Sequence, residues 1–148
     1  MIADRGLRIA ERKGDTLRLA DAVMSADDFR KRTFQFGIRI VRLVEALPKT
    51  DAARVIAKQL LRSGTAVGAN YRAAARARSR ADFIAKMGVV EEECDESLYW
   101  LDMLIQLQLV SETRLKALRG EANEVLSIVV ASIRTARGHG KYHVRYND

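Results

Sequence analysis

Apolar residues recur at alternating spacings of four and three residues in four successive segments of this chain, and this pattern constrains the fold most. Such spacing places the apolar side chains on one stripe of an α-helix. The clearest stripes belong to the first and third segments: Phe29, Thr33, Phe36, Ile40, Leu43 and Leu47, then Phe83, Met87, Val90, Cys94, Leu98, Leu101 and Ile105. The chain is therefore predicted to be all-α, with four helices.

Start and stop signals bound these four predicted helices. Residues that favour helix N-caps precede or open them: Ser25, Asp51, Ser79 and Ser111. Pro48 ends the first helix because it lacks a backbone donor, and Gly138 ends the fourth. We expect helices at about 28–47, from 51 onward, at 79–108 and at 111–137. Because the connections are short, neighbouring helices should run antiparallel, as an up-down-up-down four-helix bundle over residues 27–138.

Both ends of the chain fall outside this bundle. Residues 1–26 show no sustained periodicity and are expected to be a poorly structured extension or a short helix, and residues 139–148 form a basic tail. No segment approaches the about 18 uninterrupted apolar residues of a membrane span, and no secretory apolar block occurs. The lone Cys94 suits a reducing compartment. A soluble cytoplasmic protein is expected, with no membrane partner.

Charge is distributed unevenly along the chain. The net charge is +7, yet residues 82–102 hold seven acids against one lysine, which leaves about +13 for the remainder. Such a basic excess attracts phosphate backbones, although it is equally compatible with helix surfaces that are simply arginine-rich. The candidate phosphate contacts lie after the second helix and toward the C-terminus: Arg72, Arg76, Arg78, Arg80, Arg137, Lys141 and Arg145.

Catalytic and metal-binding patterns are sparse. No histidine precedes position 139, so the Glu-x-x-His motifs of di-iron bundles are missing. Glu92 and Glu96 lie four residues apart, and they either bind a hard cation or pair with arginines of the adjacent helix such as Arg62, Arg72 and Arg76. Cys94 falls on a buried stripe, where a thiol is inert. We expect no enzyme activity, no metal and no cofactor.

The second helix has an unusual stripe. Ser63 and Asn70 occupy apolar positions, and Gly64 and Gly68 each cost about 1 kcal/mol of helix stability relative to alanine. Small residues at this spacing allow another helix to approach closely, which gives the cost a packing reason. Asn70 is expected on the core stripe, with its amide in a structural hydrogen bond or in a binding role.

The stretch LRSGTAVGANYRAA at 61–74, with its continuation at 76–87 and 90–101, resembles the signature of the four-helix bundle proteins also called intervening-sequence proteins. Some of these are encoded in insertions within bacterial large-subunit rRNA genes. The resemblance covers about residues 29–137. It implies a ring-shaped homopentamer of left-handed bundles, and structural roles for the residues that match the signature: Arg62, Ser63, Gly64, Gly68, Asn70, Tyr71, Glu92 and Glu96.

The resemblance also bears on function. A related branch with the same bundle comprises basic pentameric accessory proteins of diversity-generating retroelements, which bind a reverse transcriptase and its template RNA. We therefore expect a non-catalytic oligomer that binds nucleic acid, with RNA preferred over DNA. The alternative is a protein–protein adaptor, such as an accessory subunit of a reverse transcriptase or another nucleic-acid enzyme, which docks through the acidic segment and the Tyr99–Trp100 region.

Overall fold

A computed structural model describes residues 24–138, and all regular structure within that range is helical. The four helices are α1 Ala26–Glu45, α2 Asp51–Ala74, α3 Arg80–Gln106 and α4 Glu112–Ala136. The predicted fold class and number of helices are confirmed, and the helix ends agree with the expected ones to within about two residues. Of the extension expected at 1–26, residues 1–23 lie outside the described residues, as does the basic tail at 139–148. No helix within 24–138 is long and apolar enough to cross a membrane.

Side-chain caps open each helix. Ser25 accepts a hydrogen bond from the backbone of Asp28 at 3.0 Å, and the Asp28 carboxylate accepts one from the backbone of Ser25, which forms a capping box. Ser79 and Ser111 cap α3 and α4 as predicted. The prediction for α2 was wrong by one residue, because Thr50 is its N-cap and Asp51 is its first helical residue. An aspartate there faces the positive end of the helix dipole.

Contacts between the helices establish the antiparallel order. Along α1 and α2, Phe29 packs edge-on against Tyr71 with ring centroids 4.6 Å apart, while Ile40 lies against Gly64. Residue numbers therefore rise along one helix as they fall along the other. α2 packs against both α1 and α3, α3 packs against α4, and α1 contacts α4 less extensively than these. The result is an up-down-up-down bundle in which α2 and α3 share the most extensive packing.

The core on α2 differs from the prediction at one position. Asn70 is only half buried, and its amide donates to the Ala66 carbonyl of its own helix at 2.8 Å. Tyr71 occupies the core position instead and is completely buried. Steps of three and four residues from Val67 both lie near the 3.6-residue helical period, and the packing of Tyr71 against Phe29 of α1 decides which residue is buried. The prediction that Asn70 lies on the core stripe was therefore wrong, whereas its amide nitrogen does make a structural hydrogen bond.

Candidate nucleic-acid interface

The glycines of α2 bring it into close contact with α1. A Cβ atom added to Gly64 would lie 2.7 and 2.8 Å from the two γ carbons of the buried Ile40. One added to Gly68 would lie 3.1 Å from the backbone carbonyl oxygen of Thr33. These distances are shorter than ordinary van der Waals contact, so the helices can approach this closely only without a side chain at these positions. The small-residue stripe therefore serves helix packing.

The polar residues of the same segment join α2 to α3. The hydroxyls of Ser63 and Ser97 lie 3.1 Å apart in the core, and Ser97 also donates to the Glu93 carbonyl at 2.8 Å. At the surface, Arg62 donates to the carboxylates of Glu93 and Glu96. The pairing expected between the acidic segment and the adjacent helix is thus confirmed at Arg62. This arginine is neutralised by two carboxylates, which disfavours it as a phosphate ligand.

Two neighbouring glutamates of α3, Glu92 and Glu96, differ in their surroundings. The Arg62 guanidinium, followed by the Trp100 indole, lowers the pKa of Glu96, while Glu92 is exposed. The Glu96 carboxylate therefore binds Arg62 and does not form a two-carboxylate cation site with Glu92. Within residues 24–138, no three His, Cys, Asp or Glu side chains cluster at a spacing suitable for a metal ion.

The single cysteine is part of the core. Cys94 is completely buried, and its thiol donates to the Ala122 carbonyl of α4 at 3.3 Å. Burial, with smaller contributions from Asp95 and Glu121, raises its pKa to about 12. The thiolate, which is the nucleophilic form, is therefore scarce at neutral pH.

One end of the bundle, here called the basic end, collects the predicted phosphate contacts that the structure describes. The antiparallel order places the C-termini of α2 and α4 beside the N-termini of α1 and α3. The five described candidates consequently lie at this end, together with Arg134: Arg72, Arg76, Arg78, Arg80 and Arg137. The remaining two candidates, Lys141 and Arg145, lie outside the described residues. Residues separated by more than fifty positions in sequence thus form one surface.

Four arginines at the basic end have no carboxylate partner within residues 24–138, unlike Arg32, Arg62 and Arg119. Arg72, Arg76, Arg134 and Arg137 are exposed and make no ion pair with any other residue of 24–138. Some arginines in the rest of the described range are engaged with carboxylates on other helices. Half-buried Arg32 of α1, for example, binds both Glu121 and Glu124 of α4. Guanidinium groups without such partners are available to an external anion.

The acid nearest the turn at the basic end is already engaged. Asp82 accepts hydrogen bonds from the Lys86 ammonium at 2.8 Å and from the backbone N–H of Arg78 at 3.0 Å. Lys86 first, and then Arg78, lower the pKa of this carboxyl. The carboxylate stabilises the start of α3, and no carboxylate within residues 24–138 pairs with the side chain of Arg72 or Arg76.

A groove of about 590 Å³ runs between α1 and α2 from the basic end, and sequence reasoning missed it. Its walls combine apolar and small residues with three cations at one end: Phe34, Gly37, Ile38, Val41, Thr65, Gly68 and Ala69, with Arg30, Lys31 and Arg72. The Phe34 side chain is 63% exposed. A signal was present in the sequence, because Phe34 lies one position beyond the core residue Thr33 and so off the buried stripe.

The opposite charge lines a second depression, between α3 and α4. It holds about 490 Å³ and is lined by Gly88, Glu91, Glu92 and Asp95 with Leu126 and Val130. Glu91, Glu92 and Asp95, from the segment that is acidic in sequence, therefore form an acidic surface away from the basic end. Anionic ligands should be repelled from this face and attracted to the basic end.

Comparisons with known proteins agree with this architecture. A crystal structure of a protein of unknown function from the S23 ribosomal protein family of Bacteroides thetaiotaomicron matches with a TM-score of 0.70 and 33% identity, over 75% of this chain and 99% of that one. No curated protein matches the chain. The family model described as 23S rRNA-intervening sequence protein matches residues 27–131, which cover most of the four helices and the packing motif of α2. On the strength of that match and of the bundle it describes, the chain belongs to the 23S rRNA-intervening sequence protein family.

Proposed function

We propose that this protein is a non-catalytic nucleic-acid-binding protein of the cytosol, and that it contacts RNA through the basic end. The observation that carries the proposal is the group of exposed arginines there without an ion pair in the described range. Guanidinium groups bind phosphate oxygens in a bidentate manner, and no carboxylate of residues 24–138 competes with an anion for Arg72 or Arg76. The family's association with rRNA genes supports RNA as the preferred nucleic acid.

Replacing Arg72 and Arg76 with glutamine should weaken RNA binding at every sequence and make it less sensitive to salt. Each phosphate contact releases condensed counterions, so the slope of log K against log salt should become shallower by about 1 to 2. Fluorescence anisotropy with labelled RNA between 50 and 200 mM salt, concentrations over which affinity is expected to fall steeply, measures both quantities.

A matched double variant controls for total charge. Arg54→Gln with Arg114→Gln lowers the net charge by the same two units at the opposite end of the bundle, where α2 and α4 begin. It should leave affinity nearly unchanged. Equal losses in the two double variants would show that binding follows net charge alone, and absence of RNA and DNA binding by the unaltered chain at low salt would exclude the proposed function.

We further propose that the chain assembles as a ring-shaped homopentamer. Family membership supports this, as do large apolar side chains exposed on the single chain, among them Val55 and Leu107. A ring would repeat the basic end in every subunit and raise avidity for a long RNA. Native mass spectrometry should give five times the 16.6 kDa of one chain, and a monomeric mass would refute the assembly.

A protein–protein adaptor is the second candidate function. Tyr99 is 55% exposed and packs edge-on against Trp100. The Trp100 indole N–H donates a hydrogen bond to the Glu96 carboxylate, with Nε1 and Oε1 3.2 Å apart. Such a rigid aromatic pair beside acidic residues is typical of an interface anchor. Recovery of one stoichiometric protein in a pull-down after nuclease treatment, and its loss in Tyr99→Ala, would favour this function over RNA binding.

A further inference from the structure

Phe34 is the most exposed large apolar side chain in the described range. A single exposed apolar residue is ordinary on a protein surface. What distinguishes this one is its position in the groove between α1 and α2. There the neighbouring surface of α2 is formed by Gly68 and Ala69, so one face of the groove beside the phenyl ring is not filled by a large side chain.

The cations of the groove lie together at its end near the N-terminus of α1. Arg30 and Lys31 both pair with Asp27, at 2.7 and 3.0 Å, and Arg72 makes no ion pair within residues 24–138. Three cations therefore stand against one carboxylate. Because Arg72 also belongs to the basic end, the groove is continuous with the surface proposed to bind RNA phosphates.

We propose that this groove binds unpaired nucleotides, with a base stacked on Phe34 and the adjoining phosphates held by Arg72, Arg30 and Lys31. The inference rests on the proposed RNA-binding function and specifies its ligand as single-stranded. Aromatic rings that stack on bases beside a positively charged track are the shared feature of single-strand binding surfaces. From Arg30 to Val41 the groove extends about 16 Å along α1, which matches about four to five stacked nucleotides.

Duplex RNA does not fit the same surface. Its bases are stacked inside the helix and present only their edges, so the Phe34 ring has no base face to cover. Duplex contacts are limited to phosphates and sugars, which the arginines of the basic end can supply without the groove. Phe34 therefore contributes to binding of single strands and not to binding of duplexes.

The test compares an unstructured single-stranded RNA with a duplex of the same length, using the full-length chain at one salt concentration. Phe34→Ala should weaken single-strand binding by about fivefold or more and leave duplex binding within about twofold. Phe34→Trp should restore single-strand binding, whereas Phe34→Leu should not, because leucine is apolar but has no aromatic face. Tyr99→Ala removes a comparably exposed aromatic outside the groove and should have no effect.

The outcomes separate this inference from the function on which it rests. The stacking role would be overturned if Phe34→Ala weakened single-strand and duplex binding equally, or if Phe34→Leu bound single strands as tightly as the unaltered chain. Neither result would affect the proposed phosphate contacts of Arg72 and Arg76. A change in native mass on Phe34→Ala would assign the groove to an interface between copies and overturn it as well. Failure of the unaltered chain to bind either RNA would remove both proposals.

Discussion

Tyr71→Ala is expected to lower the free energy of unfolding by about 3–5 kcal/mol, the largest effect of any single substitution considered for this bundle. The ring is completely buried, packs edge-on against Phe29, and its hydroxyl donates to the Ala26 carbonyl at 3.3 Å. Removing it leaves a cavity between the N-terminus of α1 and the C-terminus of α2. That junction supports the basic end, so weakening its packing should also increase proteolysis near residue 75.

Chemical denaturation followed by circular dichroism measures the loss. Tyr71→Phe keeps the ring and removes the hydroxyl, so it should cost only about 0.5–1.5 kcal/mol. Tyr99→Ala serves as the control for an exposed aromatic, and its effect should be much smaller than that of Tyr71→Ala. A loss below about 1 kcal/mol for Tyr71→Ala would contradict the burial of this side chain.

The second large effect is expected at the closest approach of α1 and α2. Gly64→Leu should lower the free energy of unfolding by about 2 kcal/mol, although leucine gains about 0.8–1 kcal/mol of helix propensity over glycine. The reason is steric, since even a Cβ at position 64 would lie under 3 Å from the γ carbons of Ile40. Ile40 is completely buried and branched at Cβ, so it cannot rotate away from the contact.

Two variants make this prediction specific. Gly120→Ala adds a Cβ that meets nothing within 4 Å in the middle of α4, so the same helix-propensity argument predicts stabilisation by about 0.5–1 kcal/mol. Combining Gly64→Leu with Ile40→Ala should restore part of the lost stability, because the new side chain enters the space that Ile40 vacates. Additive losses in the double variant would show that the two residues are not in contact.

Much of the fold was predictable because it depends on local signals. Ser25, Ser79 and Ser111 cap the helices that follow them, and Pro48 and Gly138 lie just beyond the helices they end. The error at Asn70 shows the limit of a pattern read in fixed steps. Over one turn, spacings of three and four residues both lie near the helical period, and only contact with α1 selects Tyr71 as the buried residue.

The candidate site was predictable only in part. The arginines at 72, 76, 78 and 80 are adjacent in sequence, so their grouping follows from the chain itself. The sequence does not show which arginines lack a carboxylate partner within residues 24–138. Arg62 and Arg76 look alike in sequence and differ only in the residues that face them. Arg62 lies opposite Glu93 and Glu96, whereas Arg76 lies past the end of α2, and the structure gives it no carboxylate partner within residues 24–138.

By itself, the sequence determined the number of helices, the caps of α1, α3 and α4, most of the buried stripes and the family motif at 61–74. All of these rest on interactions between residues a few positions apart. Only the tertiary structure decided that Arg137 joins Arg72 at one end, that Phe34 lines a groove beside Arg72, and that the motif glycines press against Ile40 and Thr33. Those features depend on how deeply and in which register helices pack, which is set by the three-dimensional fit of side chains distant in sequence.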